Sequence, residues 1–346
     1  MPAPGEPLTI GQILPRAIGY LEKKGVEKPR LEAEVLLSAV LGLERIQLYV
    51  QFERPLTSQE VDRYRELVAQ RGQRVPTAYL VGHKEFFSLE FKVTPAVLIP
   101  RPETERLVEV ALSWLKRQAE EKEALAELPG RGAGVREAAK LLVADVGTGS
   151  GVVAVTIARE LGERCHVYAL DLSPEALAVA AENAARHGVE SRITFLQGDL
   201  LSPLQALGLE GKLEAVLSNP PYIPSALLDR LAPEVSRYEP RLALDGGVDG
   251  LAVFRRLVPQ AGVFLKPGGL LACEMGEDQG KGIEQIIRSQ GWFGEPAFYK
   301  DYAGRPRVVA VERRAEWAEE VGAGEGAGLG GGRARGPDAG RSEGEG

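Results

Sequence analysis

The sequence predicts an α/β fold, in which a mostly parallel sheet is covered by helices on both faces and preceded by a small helical unit. Three observations predict it. From Lys140 onward, near-continuous apolar runs alternate with helical stretches and glycine-rich turns, the pattern of strands buried on both faces. Residues 9 to about 74 instead carry apolar positions at helical spacing, punctuated by start and stop signals. With 346 residues, 44% of them hydrophobic, the chain is long enough for a substantial core and for two domains.

The helical opening contains three segments. "TIGQILPRAIGYLEKKG" ends at Gly25, "PRLEAEVLLSAVLG" starts at Pro29 and stops at Gly42, and "TSQEVDRYRELVAQRG" opens on Thr57 and Glu60 as a capping box. Tyr79 to Pro100 is rich in β-branched and aromatic residues with turn-forming breaks, which predicts a hairpin or extended connector. Helical period returns at "ETERLVEVALSWLKRQ". Residues 116–139 are charged and Ala-rich before a Gly-rich break, and read as a helical extension followed by a surface loop. Five strands follow: Lys140 to Gly147, His166 to Asp171, Ile193 to Asp199, Leu213 to Asn219 and Gly268 to Gly276. Ser173 caps the helix after the second, with Pro174 at its first position. From about Gly322 the chain is Gly-, Ala- and charge-rich with almost no bulky apolar residues, and is expected to be disordered.

Composition excludes several function classes. The net charge is −7, with Lys and Arg scattered, so no broad grip on nucleic-acid phosphates and no stable DNA partner are expected. No window of about 18 apolar residues suggests a membrane span. Three histidines, far apart, and two cysteines without ligand spacing argue against a zinc site. Cys165 and Cys273 are expected to be unpaired thiols of a cytoplasmic protein.

"DVGTGSG" places Gly147, Thr148, Gly149, Ser150 and Gly151 between the first sheet strand and its helix. Such glycines let a backbone approach a ligand closely. A dinucleotide loop would require a third glycine where Val152 stands. The G-x-G-x-G spacing after Asp145 suits S-adenosylmethionine, which has no pyrophosphate to place on a helix N-terminus. Asp171 ends the second strand, where a carboxylate can accept both ribose hydroxyls. Asp199 ends the third, where it can accept from an adenine amine or hold the local loop. Three successive strand ends thereby outline one nucleoside-sized crevice.

"SNPPYIPS" then ends the fourth strand. The Asn219 side-chain oxygen and the Pro220 carbonyl can accept the two hydrogens of a planar NH₂ group, with Tyr222 against its plane. Pro220 and Pro221 lower the entropy of holding these acceptors in place. This arrangement suits methylation of a nitrogen with a delocalised lone pair, aligned by orientation rather than by a metal or a strong base. Adenine N6, cytosine N4 and a glutamine amide all present such a group. A rigid strand-end turn with Tyr222 packed on the sheet is the non-catalytic alternative.

The chain resembles the peptide chain release factor N5-glutamine methyltransferases over about Leu8 to Arg313. The residues that carry the resemblance are "LEAEVLLSAVLG", "GHKEFFSLEFKVTPAVLIPRPETE", "DVGTGSG", "SNPPYIP", "RYEPRLALDGGVDGL" and "KDYAGRPRVVAVER". The resemblance implies a Rossmann-like S-adenosylmethionine-dependent methyltransferase sheet and a reaction on the glutamine of the Gly-Gly-Gln loop of class 1 release factors. It implies donor contacts from Gly147 to Gly151 and Asp171, an adenine flanked by Leu200 beside Asp199, and Asn219, Pro220, Pro221 and Tyr222 around the target amide.

These patterns divide the chain into a helical domain over residues 1–75, a connector over 76–100, a methyltransferase domain over 101–314 and a tail over 315–346, and the resemblance implies that the helical domain helps dock the substrate. Arg101 and Glu103 are expected in a cleft-side network or an inter-domain salt bridge, Phe86 and Phe87 at the cleft border or in connector packing. Glu234 and Glu239 are expected at the surface, as solvated groups or as contacts for partner charges. A monomer is the expected state. The alternatives are a glutamine methyltransferase acting on a large-subunit ribosomal protein, an exocyclic-amine nucleic-acid methyltransferase, and a non-catalytic module that binds a glutamine loop.

Overall fold

The computed structural model describes residues 8–126 and 140–315. In the helical opening, α1 (Ile10–Lys23) buries Ile10, Ile13, Leu14, Ala17 and Leu21, one face of a 3.6-residue repeat. α2 (Pro29–Leu41) begins on proline and stops at Gly42, whose φ of 62° is left-handed. α3 (Arg45–Val50) is a short helix that the sequence reading passed over. α4 (Ser58–Gly72) opens on the expected capping box: the Glu60 amide donates to Thr57 Oγ1 at 3.2 Å and the Thr57 amide to Glu60 Oε2 at 2.8 Å. These helices and α5 (Thr77–Val81) enclose their own core around Leu36, Leu37, Leu48, Tyr64 and Leu67.

The connector is a two-stranded antiparallel hairpin, β1 (His83–Phe86) and β2 (Leu89–Lys92). Phe87 and Ser88 form its turn with φ of 50° and 57°, the doubly left-handed geometry that matches strand twist. The Asn183 amide ties this hairpin to the larger unit, accepting from the Lys92 amide at 2.7 Å and donating to the Lys92 carbonyl at 3.0 Å. Phe86 is buried edge-on against Phe91, and Phe87 packs beside them. Of the two readings offered for these rings, connector packing is the one that the structure bears out.

α6 (Thr104–Ala126) leads into the sheet and confirms the helical extension as far as residue 126. The rest of the 116–139 segment and the C-terminal stretch expected to be disordered lie outside the described residues. The sheet comprises β3 (Leu141–Val146), β4 (Cys165–Asp171), β5 (Ile193–Gln197), β6 (Leu213–Ser218), β7 (Leu265–Glu274), β8 (Ala297–Lys300) and β9 (Pro306–Glu312). Their spatial order is β5-β4-β3-β6-β7-β9-β8, parallel from β5 through β7 and antiparallel for the last two.

Side chains alternate between faces. Val143, Val167, Leu217 and Ala272 meet α6 and α7 (Val152–Leu161) on one face. Ala144, Leu170, Val216 and Cys273 face the opposite core. The helices α8 (Pro174–Arg186), α9 (Pro233–Tyr238), α10 (Ala252–Phe264) and α11 (Gly280–Ser289) complete the chain, and α10 and α11 cover that second face. Cys165 and Cys273 are both buried and free. No described helix is long and apolar enough to cross a membrane, and no described cluster of His, Cys, Asp or Glu could hold a metal ion.

The chain runs outward from β3 through β4 to β5, then returns to β6 on the other side of β3. This reversal is a topological switch point, where open α/β sheets place their ligands.

Candidate active site

The switch point brings two motifs side by side. β3 and β6 pair with Val146 opposite Ser218, so Gly147 and Asn219 leave adjacent strands at the same level. Beyond them lies a cavity of about 1020 Å³. Gly147, Thr148, Gly149, Ser150, Asp171, Asp199, Leu200, Asn219 and Pro221 all line it. Gly151, Pro220 and Tyr222 do not appear among the lining residues.

The loop conformation explains its glycines. Gly147 and Gly149 have φ of 72° and 56°, and a Cβ on Gly147 would meet nothing within 4 Å. Conformation demands glycine there, and the bare backbone faces open space. Gly151, at φ of 82°, sits where a Cβ would come within 3.0 Å of Ala180 Cβ, so it serves helix packing between α7 and α8. The Thr148 hydroxyl is committed inward, donating to Asp145 Oδ2 at 2.7 Å, and the Ala154 amide donates to the same oxygen at 3.0 Å. Burial raises the Asp145 carboxyl to about 6 against these two bonds.

Asp171 Oδ2 accepts from the Gly149 amide at 2.9 Å, and Oδ1 accepts from the Ser173 amide at 3.0 Å. Each oxygen keeps a further lone pair for a ligand hydroxyl. Asp199 lies two residues beyond the end of β5 and pairs with Arg256 on α10, a partner that the sequence reading missed. Leu200 holds a left-handed φ of 51°. That is a strained setting for a side chain with a Cβ, and it accompanies exposure of Leu200 to the cavity.

At the end of β6, Asn219 Nδ2 donates to Thr104 Oγ1 at 3.0 Å. Thr104 Oγ1 donates to Glu274 Oε2 at 2.6 Å, and Tyr222 Oη donates to Glu274 Oε1 at 3.0 Å. The partly buried Tyr222 ring packs against the α10–α11 core. Burial raises the Glu274 carboxyl, while the Thr104 and Tyr222 hydroxyls oppose the shift. The Tyr222 carbonyl accepts from Gln279 Nε2 at 2.8 Å, which pins the turn from behind.

The charged residues flagged around the cleft are structural partners. Arg101 pairs with Glu239 at 2.5 Å, and the Glu239 side chain is 1% exposed. Glu234 receives Arg74 through two bonds of 2.6 and 2.7 Å and Arg71 at 2.9 Å. Both glutamates were expected at the solvated surface. They instead tie the segment after Tyr222 to the connector and to α4. Glu103 meets Arg305 at 3.6 Å.

A family model of the PrmC N-terminal domain matches residues 12–82, and one of a methyltransferase domain matches residues 138–279. The chain is 45% identical over 309 residues to a release factor glutamine methyltransferase of Moorella thermoacetica, covering 89% of this chain and all of that protein. It is 45% identical over 301 residues to the protein of the same name from Geobacter sulfurreducens, covering 87% of this chain and 95% of that one. Among solved structures, a ribosomal protein L11 methylase from Lactobacillus delbrueckii subsp. bulgaricus overlaps with a TM-score of 0.42 at 21% identity, over 67% of this chain and 90% of that one. A glycine loop and an Asn-Pro-Pro-Tyr turn meeting at one cavity, with full-length relatives at this identity, place the chain in the release factor glutamine methyltransferase family.

Proposed function

We propose that the protein transfers a methyl group from S-adenosylmethionine to the side-chain amide nitrogen of the glutamine in the Gly-Gly-Gln loop of class 1 peptide chain release factors. The observation that carries this reading is the shared cavity: the open Gly147–Gly149 backbone, the Asp171 carboxylate and the Asn219 amide all line it. Its volume of about 1020 Å³ is at the upper end for a small-molecule site, which leaves room for a substrate side chain beside the donor.

The residues suit the donor. Gly147 and Gly149 offer backbone without a Cβ in the way, Asp171 has lone pairs for adjacent ribose hydroxyls, and Leu200 and Asp199 flank the adenine. When bound, the donor would supply a sulfonium methyl carbon: as the amide nitrogen forms the N–C bond the methyl–sulfur bond breaks, S-adenosylhomocysteine leaves with the electron pair, and the cationic nitrogen loses a proton to solvent. Asn219 Oδ1, on the cavity wall, accepts one amide hydrogen and turns the nitrogen toward the methyl, and the Pro220 carbonyl, from the next residue of the turn and off the cavity wall, is assigned the second. Fixing this orientation can contribute as much as about 7–11 kcal/mol in well-aligned systems. The helical domain, residues 1–75, docks the release factor, and the clasp of Arg71 and Arg74 on Glu234 holds that domain against the segment following the catalytic turn.

The test is mass spectrometry of a purified release factor, and separately of the candidate large-subunit ribosomal protein, after incubation with enzyme and donor. One added methyl on the Gly-Gly-Gln glutamine of the release factor is the expected result. Modification of the ribosomal protein alone, or no mass gain on either, would overturn the reading.

A further inference from the structure

Glu274 is the last residue of β7 and is 1% exposed. Both its oxygens are taken by hydroxyls, Thr104 at 2.6 Å and Tyr222 at 3.0 Å. Burial works against the charged form of Glu274, but the Thr104 and Tyr222 hydroxyls and Arg307 all favour it, and as a carboxylate Glu274 only accepts hydrogen bonds. The single hydrogen of Thr104 is thus spent on Glu274, and what Thr104 Oγ1 has left for Asn219 is a lone pair. Only the NH₂ end of the Asn219 amide can meet a lone pair, at the observed 3.0 Å. The oxygen end is then turned away, and among the described residues none donates to Oδ1. An amide can otherwise present either end at little difference in shape.

We propose that Thr104, held by Glu274, is a positioning residue that fixes the polarity of the Asn219 amide, so that its oxygen faces the substrate. This rests on the proposed amide methylation. The chain of donors runs one way, from Asn219 to Thr104 to Glu274. Thr104 stands at the start of α6 and Glu274 at the end of β7, so two rigid elements set an orientation that the turn alone leaves free. Reversal would present NH₂ to the substrate NH₂, donor against donor, and the site would lose one of its two acceptors.

The sequence offers an unusually clean probe, because Asn183 and Asn219 are its only asparagines. Protein labelled with ¹⁵N at asparagine has two side-chain NH₂ pairs. Asn183, whose Nδ2 donates to Lys92 and Ser150 carbonyls at 3.0 and 2.8 Å, is the internal reference. In the parent protein without donor, one Asn219 side-chain hydrogen is expected to exchange slowly with solvent. Thr104→Ser retains that protection and turnover. Thr104→Val keeps the shape without the hydroxyl, loses the protection and leaves the Asn183 pair unmoved. Its kcat is expected to fall about 10–100-fold, the usual effect of losing a group that orients a functional side chain, with calorimetric affinity for S-adenosylmethionine unchanged.

Both Asn219 hydrogens exchanging freely in the parent would overturn the inference, and that measurement stands even if Thr104→Val does not fold. Parent-like turnover in a folded Thr104→Val would overturn it as well. Absence of methyl transfer by the parent defeats the functional reading instead, and leaves the spectroscopic answer intact.

Discussion

A Cβ on Gly250 would stand 2.3 Å from the Tyr222 carbonyl oxygen and 2.4 Å from Gln279 Nε2, at a φ of 77°. The glycine is thus required twice, by backbone conformation and by the hydrogen bond that pins the catalytic turn from behind. Gly250→Ala is expected to lower stability by about 2–5 kcal/mol, combining left-handed strain with overpacking, and to impair turnover in what remains folded. Gly304→Ala, also left-handed at 81° but facing open space, should cost only the conformational part, about 1–2 kcal/mol. Urea denaturation of the pair separates the two contributions, and equal losses would show that the contact with Tyr222 does not matter.

Asn219→Ala removes the acceptor assigned to the substrate amide without touching the glycine loop or Asp171. A fall in kcat of about 10²–10³-fold is expected, the scale on which one oriented polar group acts in a transition state. Donor affinity by calorimetry should stay close to that of the parent. Near-normal turnover would remove Asn219 from the mechanism.

Asp171→Ala should act on the other side of the ledger. It deletes the carboxylate assigned to the ribose and releases the Gly149 and Ser173 amides that it accepts from. The expected loss in S-adenosylmethionine affinity is about 10–100-fold, equivalent to about 1.5–3 kcal/mol for hydrogen bonds to a charged group. Unchanged affinity would defeat the assignment.

Asp145 gives a pH signature. Burial raises its carboxyl from 3.8 to about 6, so the folded protein binds this proton more tightly than the unfolded chain does. The resulting contribution to stability is fully present below about pH 4 and is lost as pH rises through about 6, an effect of about 3 kcal/mol. Asp145→Asn keeps an oxygen for Thr148 and Ala154 but cannot titrate. Its stability should therefore fall less steeply than the parent's between those pH values, when both are measured by chemical denaturation. Parallel profiles would show that Asp145 does not titrate in this range.

Much of the scaffold was legible because its signals are local. The capping box of Thr57 and Glu60, the Ser173–Pro174 helix start and the apolar runs of β3 to β7 each declare themselves within a few residues. The ligand side of the sheet followed from strand ends that carry Gly147, Asp171 and Asn219. What stayed hidden depends on contacts between distant parts of the chain. Neither Thr104 nor Glu274 was singled out in the sequence, since they lie 170 positions apart. Strand order alone brings them together, since Ser218 pairs with Cys273 and the next residues on the two strands are Asn219 and Glu274. Glu234 and Glu239 likewise looked like surface charges, because their arginine partners are 138 or more residues away. Of the antiparallel edge, β9 fell within a segment that carried the family resemblance and β8 had no signal of its own, the short apolar run giving no direction of pairing.

The one-way chain from Asn219 through Thr104 to Glu274 also makes the cleft count protons on its visitor. Glutamate matches glutamine closely in size, but its ionised carboxylate brings lone pairs to the two acceptors assigned to the amide, Asn219 Oδ1 and the Pro220 carbonyl, and such a mismatch is far harder to tolerate than a missing methylene. On that proposal, deamidated release factor is expected to be turned away at the threshold, through a carboxylate lying 170 positions in sequence from the threonine it holds.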